Sequence, residues 1–262
     1  MLIDNSNLLE AITKRLENIK NIEKDELIIE PFTKDFSYRF CWSSNALEGN
    51  TLSLEETISL IEFDEVRGKH KFSEYMEAKG LYTAIQNKMI PFRKQEITET
   101  WIKESNALIG ESGEYRLGNV YIGSIAEAVY YPPVYTELPE RMKAFIENVN
   151  TEKKTTTEAI EEIVRQHIEF ERIHPFSDGN GRVGRMILNQ QMINNDMLPV
   201  VIKPTGKYRQ AFRAFDKNLD ISVMLYLIGK GEIEALDRIE ALQMKKCNNF
   251  HCEKNFAKYR EK

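Results

Sequence analysis

The chain has 262 residues, 42% apolar and 29% charged, with a formal net charge of −5. This balance suits a globular protein with a proper core and supplies no basic field for DNA or RNA, so no nucleic-acid partner is expected. No apolar run nears the roughly 20 residues that cross a bilayer, Met1–Asn5 does not read as a signal peptide, and three cysteines (Cys41, Cys247, Cys252) argue against a disulfide framework; a cytoplasmic protein without membrane contact is expected.

Helical periodicity dominates. Leu8, Leu9, Ile12 and Leu16 mark a first helix, and Phe36 and Phe40 place a second over Asp35–Leu47. The second ends in Ser43-Ser44-Asn45-Ala46-Leu47-Glu48-Gly49-Asn50, with Ser44 and Glu48 four apart on one face and Gly49 as terminator. Ser53 with Glu56 three residues later fits a capping box opening a helix to about Phe63. Further helices are predicted over Phe72–Lys88 and Thr98–Ile109. Tyr115–Tyr135 differs: aromatic and β-branched residues punctuated by Gly118, Gly123, Pro132 and Pro133 predict short strands or a hairpin. Helices resume over Glu140–Asn150, Thr156–Arg172, Gly181–Asn194, Lys207–Lys217 and Ile221–Lys245, before a polar, loosely held tail from about Asn248 to Lys262. The fold class is mainly α with a small β element.

The densest chemistry lies in His174-Pro175-Phe176-Ser177-Asp178-Gly179-Asn180-Gly181-Arg182-Val183-Gly184-Arg185. Pro175 disfavours the α conformation at His174, so a helix ends near Ile173. A glycine-containing loop follows, and a new helix starts near Asn180. Backbone N–H groups and the dipole at a helix start favour an anion, phosphate above all, and glycines let the backbone approach it. Arg182 and Arg185, three apart, share a helix face and suit more than one phosphate. Asp178 offers the hard oxygen that Mg²⁺ takes alongside substrate phosphates, and His174 accepts a proton near neutral pH. A base, a metal ligand, an oxyanion cradle and two phosphate clamps equip a site for phosphoryl or nucleotidyl transfer.

This run resembles the Fic family signature, in which His-Pro-Phe, an acidic residue, Gly-Asn-Gly-Arg and a second Arg recur at this spacing. The resemblance extends over roughly Phe36 to Gly229 and implies the Fic fold, a helical bundle with a β-hairpin flap over the active site. It implies a division into an N-terminal helical region (1–95), a Fic core (96–230) and a C-terminal helix and tail (231–262). It also implies roles. His174 would deprotonate the target hydroxyl, and Asp178 would bind Mg²⁺ or Mn²⁺ bridging the α- and β-phosphates of ATP. Gly179, Asn180 and Gly181 would form the anion hole. Arg182 would hold the transferred or adjacent phosphate and Arg185 the outermost one, with Phe176 buried as the loop's anchor. Gly113-Glu114-Tyr115-Arg116 looks like the element preceding the flap, and the flap, including Ile122, Gly123 and Ser124, would dock an extended piece of target through main-chain bonds. Tyr208 would line the nucleotide pocket or serve as plain core. The implied activity is AMP transfer from ATP to a Ser, Thr or Tyr hydroxyl of a target protein. Its alternatives are removal of AMP by the same site, another nucleotide or phosphocholine-type donor, or a non-catalytic peptide-docking module.

Ser44 to Gly49 resembles the family's inhibitory motif, N-terminal to the active run. Glu48 would pair with Arg185, bidentately, and occupy the arginine meant for the outer phosphate. Ser44 would hydrogen-bond within that helix; no histidine at useful spacing makes it a nucleophile. Fic proteins often pair, so a homodimer is expected. His167 reads as a packing or hydrogen-bonding histidine, and His70 carries no partner signal. Cys247, His251 and Cys252 have zinc-like spacing without a second pair of ligands.

Overall fold

The computed structural model describes residues 2–19, 25–124, 127–153 and 155–260; for 124, 127–129 and 248–260 it describes the backbone alone. In chain order the elements are α1 (Ser6–Asn18), α2 (Glu26–Leu47), α3 (Leu54–Phe63), α4 (Phe72–Lys88), α5 (Glu99–Leu108), β1 (Ile122–Ser124) and β2 (Glu127–Tyr130). They continue with α6 (Leu138–Val149), α7 (Thr156–Ile173), α8 (Asn180–Asn194), α9 (Gly206–Asn218) and α10 (Ser222–Arg260).

α8 is the hub, buried along almost its whole length and packed by α7, α5 and α2. One core joins it to α2, α4, α5 and α6 through residues such as Phe40, Ile102, Phe145 and Met186. A second core joins it to α1, α7, α9 and α10 through Ile12, Ile163, Leu188 and Ile228. A helix enclosed on all sides must satisfy its polar groups internally. Asn189 brackets Val200, its Nδ2 donating to the Val200 carbonyl at 3.1 Å and its Oδ1 accepting the Val200 N–H at 2.5 Å. Gln190 Nε2 donates to the Arg93 carbonyl at 2.9 Å.

The predicted elements form, with two extensions. The capping box at Ser53 is complete, since Ser53 Oγ accepts from Glu56 N–H at 3.2 Å and Glu56 Oε2 accepts from Ser53 N–H at 2.8 Å. α2 begins at Glu26, nine residues before the predicted Asp35, because Ile28 and Phe32 continue the buried face that Phe36 and Phe40 mark. Pro31 lies inside this helix and conceals the continuity, as it removes only one helical donor. α10 continues to Arg260, where a loose tail is predicted from about Asn248. No glycine or proline follows Gly231 to stop it.

Glu232 on α10 is fully buried, its Oε1 accepting the Leu198 N–H at 3.0 Å. Burial pushes its carboxyl from 4.5 up to about 8. Between those values the unfolded chain has released the proton and the fold retains it, so stability falls as pH rises through that window. Glu232→Gln keeps the acceptor for Leu198 and is expected to remove roughly 3 kcal/mol of that pH dependence, read from melts at pH 5 and pH 8.

Candidate active site

Pro175 keeps His174 out of the right-handed helical conformation, and α7 ends there with His174 left-handed at φ 50°, ψ 59°. The loop then folds on Phe176, buried against the ring of Tyr115 at 5.6 Å between centroids. The Asn180 side chain closes the loop from within. Its Oδ1 accepts the Phe176 N–H and its Nδ2 donates to the Phe176 carbonyl, both at 2.8 Å. Asn180→Ala strands both buried backbone groups and is expected to lower stability by about 2 kcal/mol in urea titration.

Gly179 caps α8 at φ 80°, and a Cβ there would stand 2.6 Å from Ile109 Cδ1 and 3.0 Å from Asn106 Nδ2. Fully buried Asn106, which carries no local sequence signal, braces the loop: its Nδ2 donates to the Asp178 carbonyl and its Oδ1 accepts the Gly113 N–H, each at 3.0 Å. Arg116 braces it as well. Its backbone N–H bonds the Pro175 carbonyl and its Nε the His174 carbonyl, both at 2.9 Å. Its Nη1 and Nη2 reach the carbonyls of Gly118 at 2.7 Å and Pro133 at 2.6 Å, at the two ends of the hairpin.

The two arginines of α8 diverge, contrary to the shared face that their spacing suggests. Arg182 Nη2 lies 3.1 Å from Glu111 Oε1 and 3.4 Å from Asp178 Oδ1. Arg182 Nε and Nη1 are buried without a polar partner among the described residues. Arg185 turns the other way, towards α2. Its Nε donates to Ser44 Oγ at 2.8 Å, its Nη2 to the Ser44 carbonyl at 2.9 Å and to Glu48 Oε1 at 2.6 Å, and its Nη1 to the Tyr208 hydroxyl at 3.3 Å. The Glu48 pair is therefore single-pronged rather than bidentate, because Ser44 and Tyr208 take the other edges of the guanidinium. Burial, the largest single influence, would lower the Arg185 pKa; the charges of Glu48, Tyr208 and Glu171 and the hydrogen bond to Glu48 together outweigh it and raise the value.

Glu48 is the C-cap of α2, and Gly49 beyond it is left-handed at φ 101°. The N–H groups of Gly49 and Asn50 close the helix end on the carbonyls of Ala46 and Asn45 at 3.1 Å. This end aims the Glu48 carboxylate at the start of α8: a Cβ built on Gly181 would meet Glu48 Oε1 at 2.0 Å. A carboxylate thus covers the backbone where an anion is expected to sit. The turn is held from outside as well. Asn50 Nδ2 donates to Glu77 Oε2 at 2.8 Å, and His70, without a partner signal in the sequence, bonds Thr51 Oγ1 at 2.8 Å and Glu56 Oε1 at 3.1 Å.

His174 Nδ1 lies 3.4 Å from the Glu171 carbonyl, which can only accept, so Nδ1 carries the proton and Nε2 keeps its lone pair. Burial lowers the His174 pKa below the ordinary 6.5, favouring the neutral imidazole. Glu171 Oε1 is closed off without a hydrogen-bond partner among the described residues, and burial pushes its carboxyl up to about 7. Tyr208 is buried behind Arg185, its hydroxyl 2.8 Å from His167 Nε2. Asp178 Oδ1 accepts the Gly179 N–H at 2.5 Å, and its side chain is otherwise largely exposed. One exposed carboxylate beside a helix start is the protein share that Mg²⁺ takes when phosphates supply further oxygens, so the donor set fits that cation.

β1 and β2 pair antiparallel, Ile122 opposite Tyr130 and Gly123 opposite Ala128, with an irregularity between Ile122 and Gly123. The Ser124 side chain lies outside the described residues, as do those of His251 and Cys252. Cys247 is exposed, and among the described residues no group of three His, Cys, Asp or Glu side chains is placed to hold a metal alone. No helix among the described residues is long and apolar enough to cross a membrane.

Residues 94–192 match the Fic/DOC family. This segment runs from α5 through most of α8, and the chain has the Fic fold. A Fic-domain signaling protein from Bacteroides thetaiotaomicron superposes with a TM-score of 0.77 at 22% identity, covering 90% of this chain and 97% of that one. A Fic family protein from Desulfovibrio desulfuricans gives a TM-score of 0.71 at 25% identity, over 91% of this chain and 74% of that one. Among curated proteins, "Protein adenylyltransferase Fic" of Nematostella vectensis is 26% identical over 204 residues, 75% of this chain and 47% of the relative. "Protein adenylyltransferase fic-1" of Caenorhabditis elegans is 29% identical over 175 residues, 63% of this chain and 33% of the relative. The chain spans less than half the length of these curated relatives.

Proposed function

We propose that this chain is a nucleotidyltransferase that moves AMP from ATP to a hydroxyl of a target protein and is held back by its own Glu48. The observation that carries the reading is the Glu48 carboxylate lying over Gly181 at the start of α8 while paired at 2.6 Å to buried Arg185. It stands where the outer phosphate of a nucleotide would stand. The names of the curated relatives support the same activity.

In this reading the target oxygen forms a bond to the α-phosphorus as the α–β bridging bond breaks and pyrophosphate leaves. The hydroxyl proton passes to His174 Nε2, the nitrogen left free by the Nδ1 contact to Glu171. The N–H groups of Asn180 and Gly181 stabilise the oxygens on which charge develops, and that of Gly179 joins them when Asp178 Oδ1, its acceptor here, turns to the metal. Arg182 supplies to phosphate its Nε and Nη1, which have no polar partner among the described residues, and Arg185, supported from behind by Tyr208, takes the outer phosphate once Glu48 withdraws. Asp178 would hold the Mg²⁺, which supplies charge neutralisation between phosphates. The hairpin edge at Ile122 and Gly123 docks the target backbone.

Calorimetric titration with ATP and Mg²⁺, followed by intact-mass measurement of the Glu48→Gly variant, tests the assignment. An AMP adduct on that protein or an added substrate is expected. Absence of nucleotide binding in wild type and variant alike would overturn it.

A further inference from the structure

A two-stranded hairpin is marginal in water without tertiary support, and among the described residues the two short strands β1 and β2 pair only with each other. Arg116 ties the hairpin at its base. A second tie lies at the same end, on Tyr130, the last residue of β2. The Arg172 guanidinium carbon stands 4.5 Å from the centroid of the Tyr130 ring and 4.8 Å from that of Phe212 on α9. Arg172 Nε and Nη2 donate to Asp216 Oδ1 and Oδ2 at 2.8 and 2.5 Å. The cation contacts two rings and is gripped by a carboxylate, with only 13% of its side chain exposed. Desolvation strengthens both kinds of contact.

We propose that Arg172 is a positioning residue that seats the flap against His174 through the ring of Tyr130. The inference rests on the proposed transfer of AMP to a docked protein. Arg172 belongs to the last turn of α7, two residues before His174, so the flap and the base hang from one stretch of backbone. Tyr130 pairs directly with Ile122, so its seat fixes the strand on which the target would lie. A shift of that strand moves the hydroxyl relative to Nε2 without touching the nucleotide, and about an ångström of misplacement costs rate steeply. Arg172 touches neither substrate; Asp216 and Phe212 hold it, and it holds Tyr130.

Backbone amide exchange over Ile122–Ser124 and Glu127–Tyr130 tests the seat without any target. Arg172→Gln and Tyr130→Leu are each expected to speed that exchange about tenfold while amides of α8 keep their protection. Tyr130→Leu leaves α7 intact and reports even if the Arg172 variant unfolds. Added to Glu48→Gly, either change is expected to slow labelling of a protein hydroxyl about tenfold with the ATP Kd unchanged. Arg172→Lys should not rescue, since lysine lacks the planar fork. Flap exchange that is unaltered by both variants, or already unprotected in the wild type, would overturn the inference. A Glu48→Gly parent that transfers no AMP would instead count against the proposed function, with the exchange comparison still deciding the seat.

Discussion

Glu48→Gly is expected to raise the rate of AMP transfer about a hundredfold over the wild type. In the resting chain Arg185 has only 2% of its side chain exposed, so it is a cation that needs a counter-charge and has Glu48 at 2.6 Å. Removing that carboxylate clears the start of α8 and leaves the guanidinium its bonds to Ser44 and Tyr208, so Arg185 stays aimed. An incoming phosphate then supplies the missing charge. The fold should tolerate the change. Glu48 is a C-cap whose turn closes through backbone bonds of Gly49 and Asn50, which glycine at position 48 also permits. Because Arg185 is buried while 42% of the Glu48 side chain is exposed, the lost pair is expected to cost about 2 kcal/mol in thermal denaturation, between a surface pair and a buried one. Initial rates of adduct formation, wild type against variant at equal ATP, give the comparison.

In the Glu48→Gly background, His174→Ala is expected to reduce transfer about a thousandfold while ATP still binds. In the proposed reaction the imidazole would act through Nε2 and α8 would meet the phosphates, so binding and base are separable. The pH dependence follows from burial. A base whose pKa lies below 6.5 stays unprotonated through neutrality, so the acid limb of the rate profile should fall below pH 6.5 and vanish in His174→Ala. An acid limb centred above neutrality would assign the proton to another group, and Glu171, with its carboxyl near 7, is the first to examine.

What the sequence makes legible is local. Pro175 ends α7, Gly49 ends α2 and Ser53 opens α3, because each acts through its own backbone or a residue three or four away. The loop from His174 to Arg185 is readable for the same reason. Contacts across the fold leave no spacing. Asn106 reaches Asp178, Arg116 reaches His174 and Pro133, and Glu111 meets Arg182 from separations of 17 to 72 residues. No periodicity announces them. The divergence of Arg182 and Arg185 was hidden for a related reason: three-residue spacing puts two Cβ atoms on one face, but partners on α2 and in the loop after α5 decide where long side chains end. The start of α2 was obscured by Pro31, whose effect in an isolated segment is overridden by burial of Ile28 and Phe32.

The most direct test supplies Glu48→Gly with ATP labelled in one sample at the α-phosphate and in another at the γ-phosphate, with Mg²⁺, and follows label on protein. Label from the α position on protein, lost in His174→Ala, with γ label released as pyrophosphate, is the expected result. Label from the γ position on protein, or none from either while ATP is bound and candidate hydroxyl proteins are present, would contradict nucleotidyl transfer restrained by Glu48.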